Sequence, residues 1–127
     1  MKCGKKTTAR RIFNDCMKIV SEKTKEEPAK IFNKALDNVK PLMEVKPKRI
    51  GGGVYQIPYE VNANRQIALA FRWLIGAARG TKGSAMHIKL ANEFMQACEG
   101  TGSAIKKRDE THKMAAANKA FAHYARY

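Results

Sequence analysis

Apolar residues recur at helical spacing along most of this chain and at strand spacing in one stretch. Ala9, Ile12, Phe13, Cys16, Met17 and Val20 follow an i, i+3, i+4, i+7 rhythm, which gathers them on one side of an α-helix. Thr7 or Thr8 is suited to cap its start. Ile31, Phe32, Ala35, Leu36 and Val39 repeat the rhythm in a second helix, with Pro28 pre-shaped for its first position and Pro41 ending it. Ile67, Phe71, Leu74, Ile75 and Ala78 mark a third, capped by Asn62 or Asn64. After a turn at Gly80 to Gly83, Leu90, Ala91, Phe94, Met95 and Cys98 mark a fourth, capped by Ser84 and closed by Gly100. A fifth, capped by Ser103, is less amphipathic. Lys106, Lys107, Arg108, Lys113 and Lys119 put charge on several of its faces, and Ala115, Ala116 and Ala117 make it a strong helix former. A helix that buries little of itself leans on a partner.

Between the second and third helices the period changes to two. Lys46-Pro47-Lys48-Arg49-Ile50 and Val54-Tyr55-Gln56-Ile57-Pro58 flank Gly51-Gly52-Gly53. Glycines permit the positive φ angles a tight hairpin needs, so a β-ribbon is predicted over about residues 43–61. Tyr55, Ile57, Tyr59 and Val61 share one face of its second strand. Pro47 and Pro58 remove ladder donors, which suits an exposed ribbon and not a central strand. The expected fold is mainly α, a helical bundle with one protruding basic β-hairpin. Such a ribbon adds little to a core and is well placed to carry charge into a groove.

Charge sharpens the picture. The 127 residues carry a net charge of +14, from 25 Lys and Arg against 11 Asp and Glu. That excess repels itself unless a polyanion is near. Nucleic acid is the leading partner and an anionic membrane surface the second, because the cations recur along the whole chain and do not gather on one amphipathic helix. No apolar run approaches the roughly 18 residues of a membrane span. The N-terminus has no apolar signal core and reads as a basic arm. The three cysteines, Cys3, Cys16 and Cys98, are odd in number and contain no Cys-x-x-Cys pair, which fits free thiols in a reducing compartment.

The candidate nucleic-acid-binding residues are the cations that local structure does not explain. Lys2, Lys5, Lys6, Arg10 and Arg11 crowd the start of the first helix, where positive charge opposes the helix dipole. Lys46, Lys48 and Arg49 load one short strand beyond what edge protection requires. Arg65, Arg72 and Arg79 recur every seven residues as an outward stripe; Arg72 and Arg79 are kept as candidates. Lys106, Lys107, Arg108 and Lys113 complete the set. Tyr55 and Tyr59 either stack on bases or pack the ribbon onto the bundle, Trp73 reads as core, and Phe121, His123 and Tyr124 either dock a neighbour or pack the C-terminus. Nothing points to catalysis. His87, His112 and His123 share no metal-ligand spacing, His112 reads as part of a solvated helix face, and the glycine run lacks the Lys-Ser/Thr and helix of a phosphate loop. Every acidic residue reads as a cap, a helix-pair partner or a solubiliser. No cofactor is implied.

Four blocks together carry a family resemblance. They are Gly4-Lys5-Lys6 with Ile12-Phe13-x-x-Cys16; Lys34-Ala35-Leu36-Asp37-Asn38-Val39-Lys40-Pro41 leading to Glu44-Val45; Arg49-Ile50-Gly51-Gly52 with Tyr55-Gln56-Ile57-Pro58 and Arg72-Trp73-Leu74; and Lys106-Lys107-Arg108-x-x-Thr111-His112-Lys113-Met114 with Asn118-Lys119-Ala120-Phe121-Ala122-His123-Tyr124. In that order they resemble the seventh protein family of the small ribosomal subunit, in its bacterial or organellar form. The resemblance implies a bundle of five to six helices with one extended β-ribbon, and no enzymatic activity. It implies direct binding to the 3′ major domain of small-subunit ribosomal RNA, nucleation of head assembly, and contacts with neighbouring small-subunit proteins. It also implies a place at the subunit interface near the exit-site transfer RNA and messenger RNA path, in the bacterial cytoplasm or an organelle. The family's basic N-terminal arm and first helix, ahead of Gly4, have no counterpart in this sequence.

Overall fold

The computed structural model describes residues 3–126. The chain runs α1 (Lys6–Thr24), α2 (Pro28–Val39), β1 (Met43–Ile50), β2 (Gly53–Glu60), α3 (Ala63–Gly80), α4 (Met86–Cys98), α5 (Ser103–Ala117), and ends in a 3₁₀ helix, Lys119–Arg126. The expected fold is borne out: mainly helical, with one two-stranded antiparallel hairpin.

Two prolines set the limits of α2. Pro28 occupies its first turn after an extended Glu27, because a residue preceding proline is driven out of the α region. Lys40 is extended for the same reason, standing before Pro41. Asn62 caps α3, its side chain accepting from the Arg65 backbone N–H at 3.0 Å. The other three predicted caps are not used. Gly4, at φ +68°, turns the chain so that the Lys6 N–H bonds the Gly4 carbonyl at 2.9 Å, and α1 begins before Thr7 and Thr8. Ala85, not Ser84, stands at the start of α4. Gly102 precedes α5 and leaves Ser103 as its first residue. In each case the path of the entering chain overrode a capping preference worth about 1 kcal/mol.

The core forms around α4, which packs on α1, α2, α3 and α5. Cys16 and Val20 of α1, Ile31, Ala35, Leu36 and Val39 of α2, Ala70, Leu74 and Ala78 of α3, and Leu90, Ala91, Phe94 and Ala97 of α4 are buried together with Ala104 and Ile105. The many alanines let helix axes approach closely where long side chains would hold them apart. Phe32 ties three helices by aromatic contact, with ring centroids 5.4 Å from Phe94, 5.9 Å from Phe71 and 5.7 Å from Phe13. Cys16 is an inert packing element, its thiol pushed up to about 12 by burial. On α3 the buried set is rotated from the predicted stripe: Ile67 is 40% exposed while Leu69 and Ala70 are buried. This helix packs on α2, α4 and α5 at once, so its buried arc keeps Leu74 and Ala78 of the predicted stripe and widens to Leu69 and Ala70.

One acidic residue corrects the expectation that every carboxylate is a cap, a helix-pair partner or a solubiliser. Glu93 lies on the buried side of α4, 7% exposed, with Oε2 meeting no hydrogen-bond partner among the described residues. Burial raises its pKa. Glu44 is also buried, at the root of the ribbon.

Candidate nucleic-acid interface

The ribbon turns on two residues. Gly51 and Gly52 have φ of +54° and +86°, the sign that the tight two-residue hairpin turn demands at both central positions. Gly53 already pairs with Ile50, and the register runs from there to Met43 opposite Glu60. Opposed residues in an antiparallel pair share a face, so this register sorts the ribbon's cations. Lys46 and Lys48 lie with Tyr55, Ile57 and Tyr59 on one face, while Arg49 lies with Val54 and Gln56 on the other. The three cations do not form one row.

The two lysines are held by the protein itself. The Lys48 ammonium donates to the Tyr124 backbone carbonyl at 2.8 Å. Lys46 stands 3.7 Å from the Glu44 carboxylate and 5.4 Å from the centre of the Tyr59 ring. Tyr55 packs on the terminal 3₁₀ helix, its ring 4.9 Å from Phe121, which stacks at 6.5 Å on Tyr124. The C-terminal segment thus straps one face of the ribbon, and Arg49 stays exposed on the opposite face.

A polar frame joins the ribbon root to the bundle. Glu44 accepts from the Arg65 guanidinium at 3.4 Å, so Arg65, though in phase with Arg72 and Arg79, leaves the outward stripe. The Leu42 carbonyl accepts from the Val61 N–H at 3.1 Å, and the Leu42 N–H donates to His112 Nε2 at 2.9 Å. His112 therefore corrects the expectation of a solvated helix face. Burial, then the neighbouring Arg108 cation, hold its pKa below the ordinary imidazole value, against an upward pull from Asp109. Arg108 itself is structural. Its guanidinium donates to the Asn38 carbonyl at the end of α2 and to Asp109 at 2.8 Å. Asn38 in turn donates to the Ala97 and Cys98 carbonyls at the end of α4, at 2.9 and 3.1 Å.

The His112 hydrogen bond sets a pH dependence. Only neutral imidazole accepts at Nε2, and the folded pKa is lowered, so this contribution is fully present above the unfolded value of about 6.5 and is lost as pH falls below it. The drop in Tm between pH 7.5 and 5.5 is expected to be smaller in His112→Gln, which keeps an acceptor but cannot titrate. Equal drops in both proteins would exclude this role.

The remaining predicted cations behave differently. Lys5, Lys6, Arg10 and Arg11 at the start of α1, Arg49 on the ribbon, Arg72 and Arg79 on α3, and Lys106, Lys107 and Lys113 on α5 are all exposed. The ion pairs among the described residues are Lys40–Asp37, Lys46–Glu44, Arg65–Glu44 and Arg108–Asp109, so none of these cations is in one. Lys2 lies outside the described residues. Exposed Lys82, two residues beyond α3, extends the basic surface at the Arg79 end; nothing in its sequence context singled it out. No helix of the described residues is long and apolar enough to cross a membrane.

Comparison with known proteins decides the family. The profile of ribosomal protein S7p/S5e matches residues 1–119. The chain belongs to this family. It is 52% identical over 121 residues to the small ribosomal subunit protein uS7 of Thermotoga petrophila, covering 95% of this chain and 78% of that relative. The uS7 proteins of Mycoplasma capricolum and Acaryochloris marina are 54% and 53% identical, over 121 and 124 residues, with 78% and 80% of those relatives covered. The resemblance carried by the four sequence blocks is therefore borne out. The chain is a structural protein of the small ribosomal subunit and not an enzyme.

Proposed function

We propose that the protein binds small-subunit ribosomal RNA directly, in its 3′ major domain, and that binding organises the head of a bacterial or organellar subunit. The ribbon lies toward the exit-site transfer RNA and messenger RNA path, and neighbouring small-subunit proteins cover part of the remaining surface. The observation that carries this is the set of exposed cations outside the ion pairs of the described residues, spread over α1, the ribbon, α3 and α5. In a chain of net charge +14 this surface is a phosphate-binding one, and affinity arises mainly from counterion release. Selectivity comes from folded RNA shape, since A-form grooves leave backbone and 2′-hydroxyls to be read.

The test is a titration against a transcript of the head domain at two salt concentrations, with duplex DNA of equal length as competitor. The expected result is tight, salt-sensitive binding that DNA does not displace. Displacement by DNA at equal concentration would reduce the interaction to charge alone and favour a generic basic protein that binds any polyanion, anionic membranes included.

A further inference from the structure

A groove of about 290 Å³ opens between the ribbon root, α3 and α5. Val45, the half-buried indole of Trp73 and the thioether of Met114 make its apolar wall, and Lys107 and Glu110 stand beside them on α5. Met114 is 47% exposed, an uncommon place for so large an apolar side chain on this strongly charged chain. Trp73 packs against the core and also lines this groove.

The geometry points to a seat for a single unstacked RNA base, lying on the Trp73 indole with Met114 at its edge. This rests on the RNA-binding role proposed above and adds to it a contact that reads a base and not a phosphate. Four features favour a nucleobase. A flat indole presents the π-surface on which any base stacks. Of the two carboxylates lining the groove, Glu44 is held by Arg65 at 3.4 Å and Lys46 at 3.7 Å, so it does not repel phosphate, and exposed Lys107 is free to take the phosphate of the same nucleotide. The volume lies just below the usual range of roughly 300–1,000 Å³ for larger ligands, which suits one planar ring system. Glu110 accepts hydrogen bonds and donates none when ionised, so a base edge bearing N–H groups is matched there.

Trp73 is the only tryptophan, so its fluorescence reports on this groove alone. On saturation of the full chain with the head-domain transcript, its emission is expected to be quenched. Trp73→Leu is expected to bind about tenfold more weakly with an unchanged salt slope, as loss of a stacked base predicts. Met114→Ala, at an exposed position that the core does not need, is expected to bind about threefold more weakly. Unchanged emission at saturation, or full affinity in Met114→Ala, would overturn the base seat and leave the groove to a protein neighbour. Failure of the transcript to bind at all would instead overturn the RNA-binding role, and the base seat with it.

Discussion

Replacing Lys5, Lys6, Arg10 and Arg11 together with glutamine is expected to weaken binding to head-domain RNA by about a hundredfold or more near physiological salt, with Tm unchanged or slightly raised. Each lost phosphate contact removes roughly 0.7–0.9 from the slope of log affinity against log salt, or about fivefold in affinity. All four cations are exposed and none is in an ion pair of the described structure. Lys5 and Lys6 stand at the very start of α1 and are unfavourable to the helix by a few tenths of a kcal/mol each, because the dipole presents partial positive charge there. Binding and stability therefore move in opposite directions, which no account of these residues as a stabilising surface predicts. Salt titrations of the variant against the wild type decide the matter. An unchanged slope would move the RNA interface away from α1.

Phe94→Ala is expected to cost about 4 kcal/mol and to lower Tm by about 15 °C. Phe94 is 3% exposed, lies 5.4 Å from the Phe32 ring, and sits on the helix that contacts every other α-helix of the bundle. Removing it leaves a cavity within the buried cluster of the bundle, where surrounding side chains relax only partly. For a domain whose net stability is about 5–15 kcal/mol, that loss makes a large unfolded fraction near body temperature, and RNA binding falls with it. Thermal melts followed by far-UV circular dichroism measure the loss directly. A change of under about 5 °C would mean that the centre of the core lies elsewhere.

On the ribbon, the protein's own contacts determine which substitution isolates RNA binding. Lys48 is tied to the Tyr124 carbonyl, so reversing its charge disturbs the C-terminal strap as well as any RNA contact. Arg49, on the opposite face and exposed, carries no such second effect.

The elements themselves were legible because their signals are local. Apolar spacing located α1, α2 and α4, Pro28 and Pro41 bounded α2, and the glycine run placed the hairpin turn, each through constraints acting within a few residues. Capping was less legible. Thr7, Ser84 and Ser103 are all good cap residues, but Gly4 and Gly102 turn the chain at positions of positive φ, and that turn decides where the helix begins. The buried arc of α3 was legible at Leu74 and Ala78 but not at Leu69 and Ala70, because three neighbours share this helix and no periodicity counts neighbours.

The sequence by itself determined the class of this protein. Its charge excess called for a polyanionic partner, its periodicity for a helical body with one ribbon, and its four motif blocks for a ribosomal family, since each of these is a property of residue type and order. Only the tertiary structure decided which cations are available. Lys46, Lys48, Arg65 and Arg108 looked in sequence like Arg49, Arg72 and Lys107, yet the first group is engaged by Glu44, the Tyr124 carbonyl, Asn38 and Asp109. Most of these partners are far away in the chain: Lys48 and Tyr124 are separated by 76 positions and Arg108 and Asn38 by 70. A side chain's charge is written in the sequence, but whether that side chain is already engaged depends on what the fold brings within about 4 Å of it.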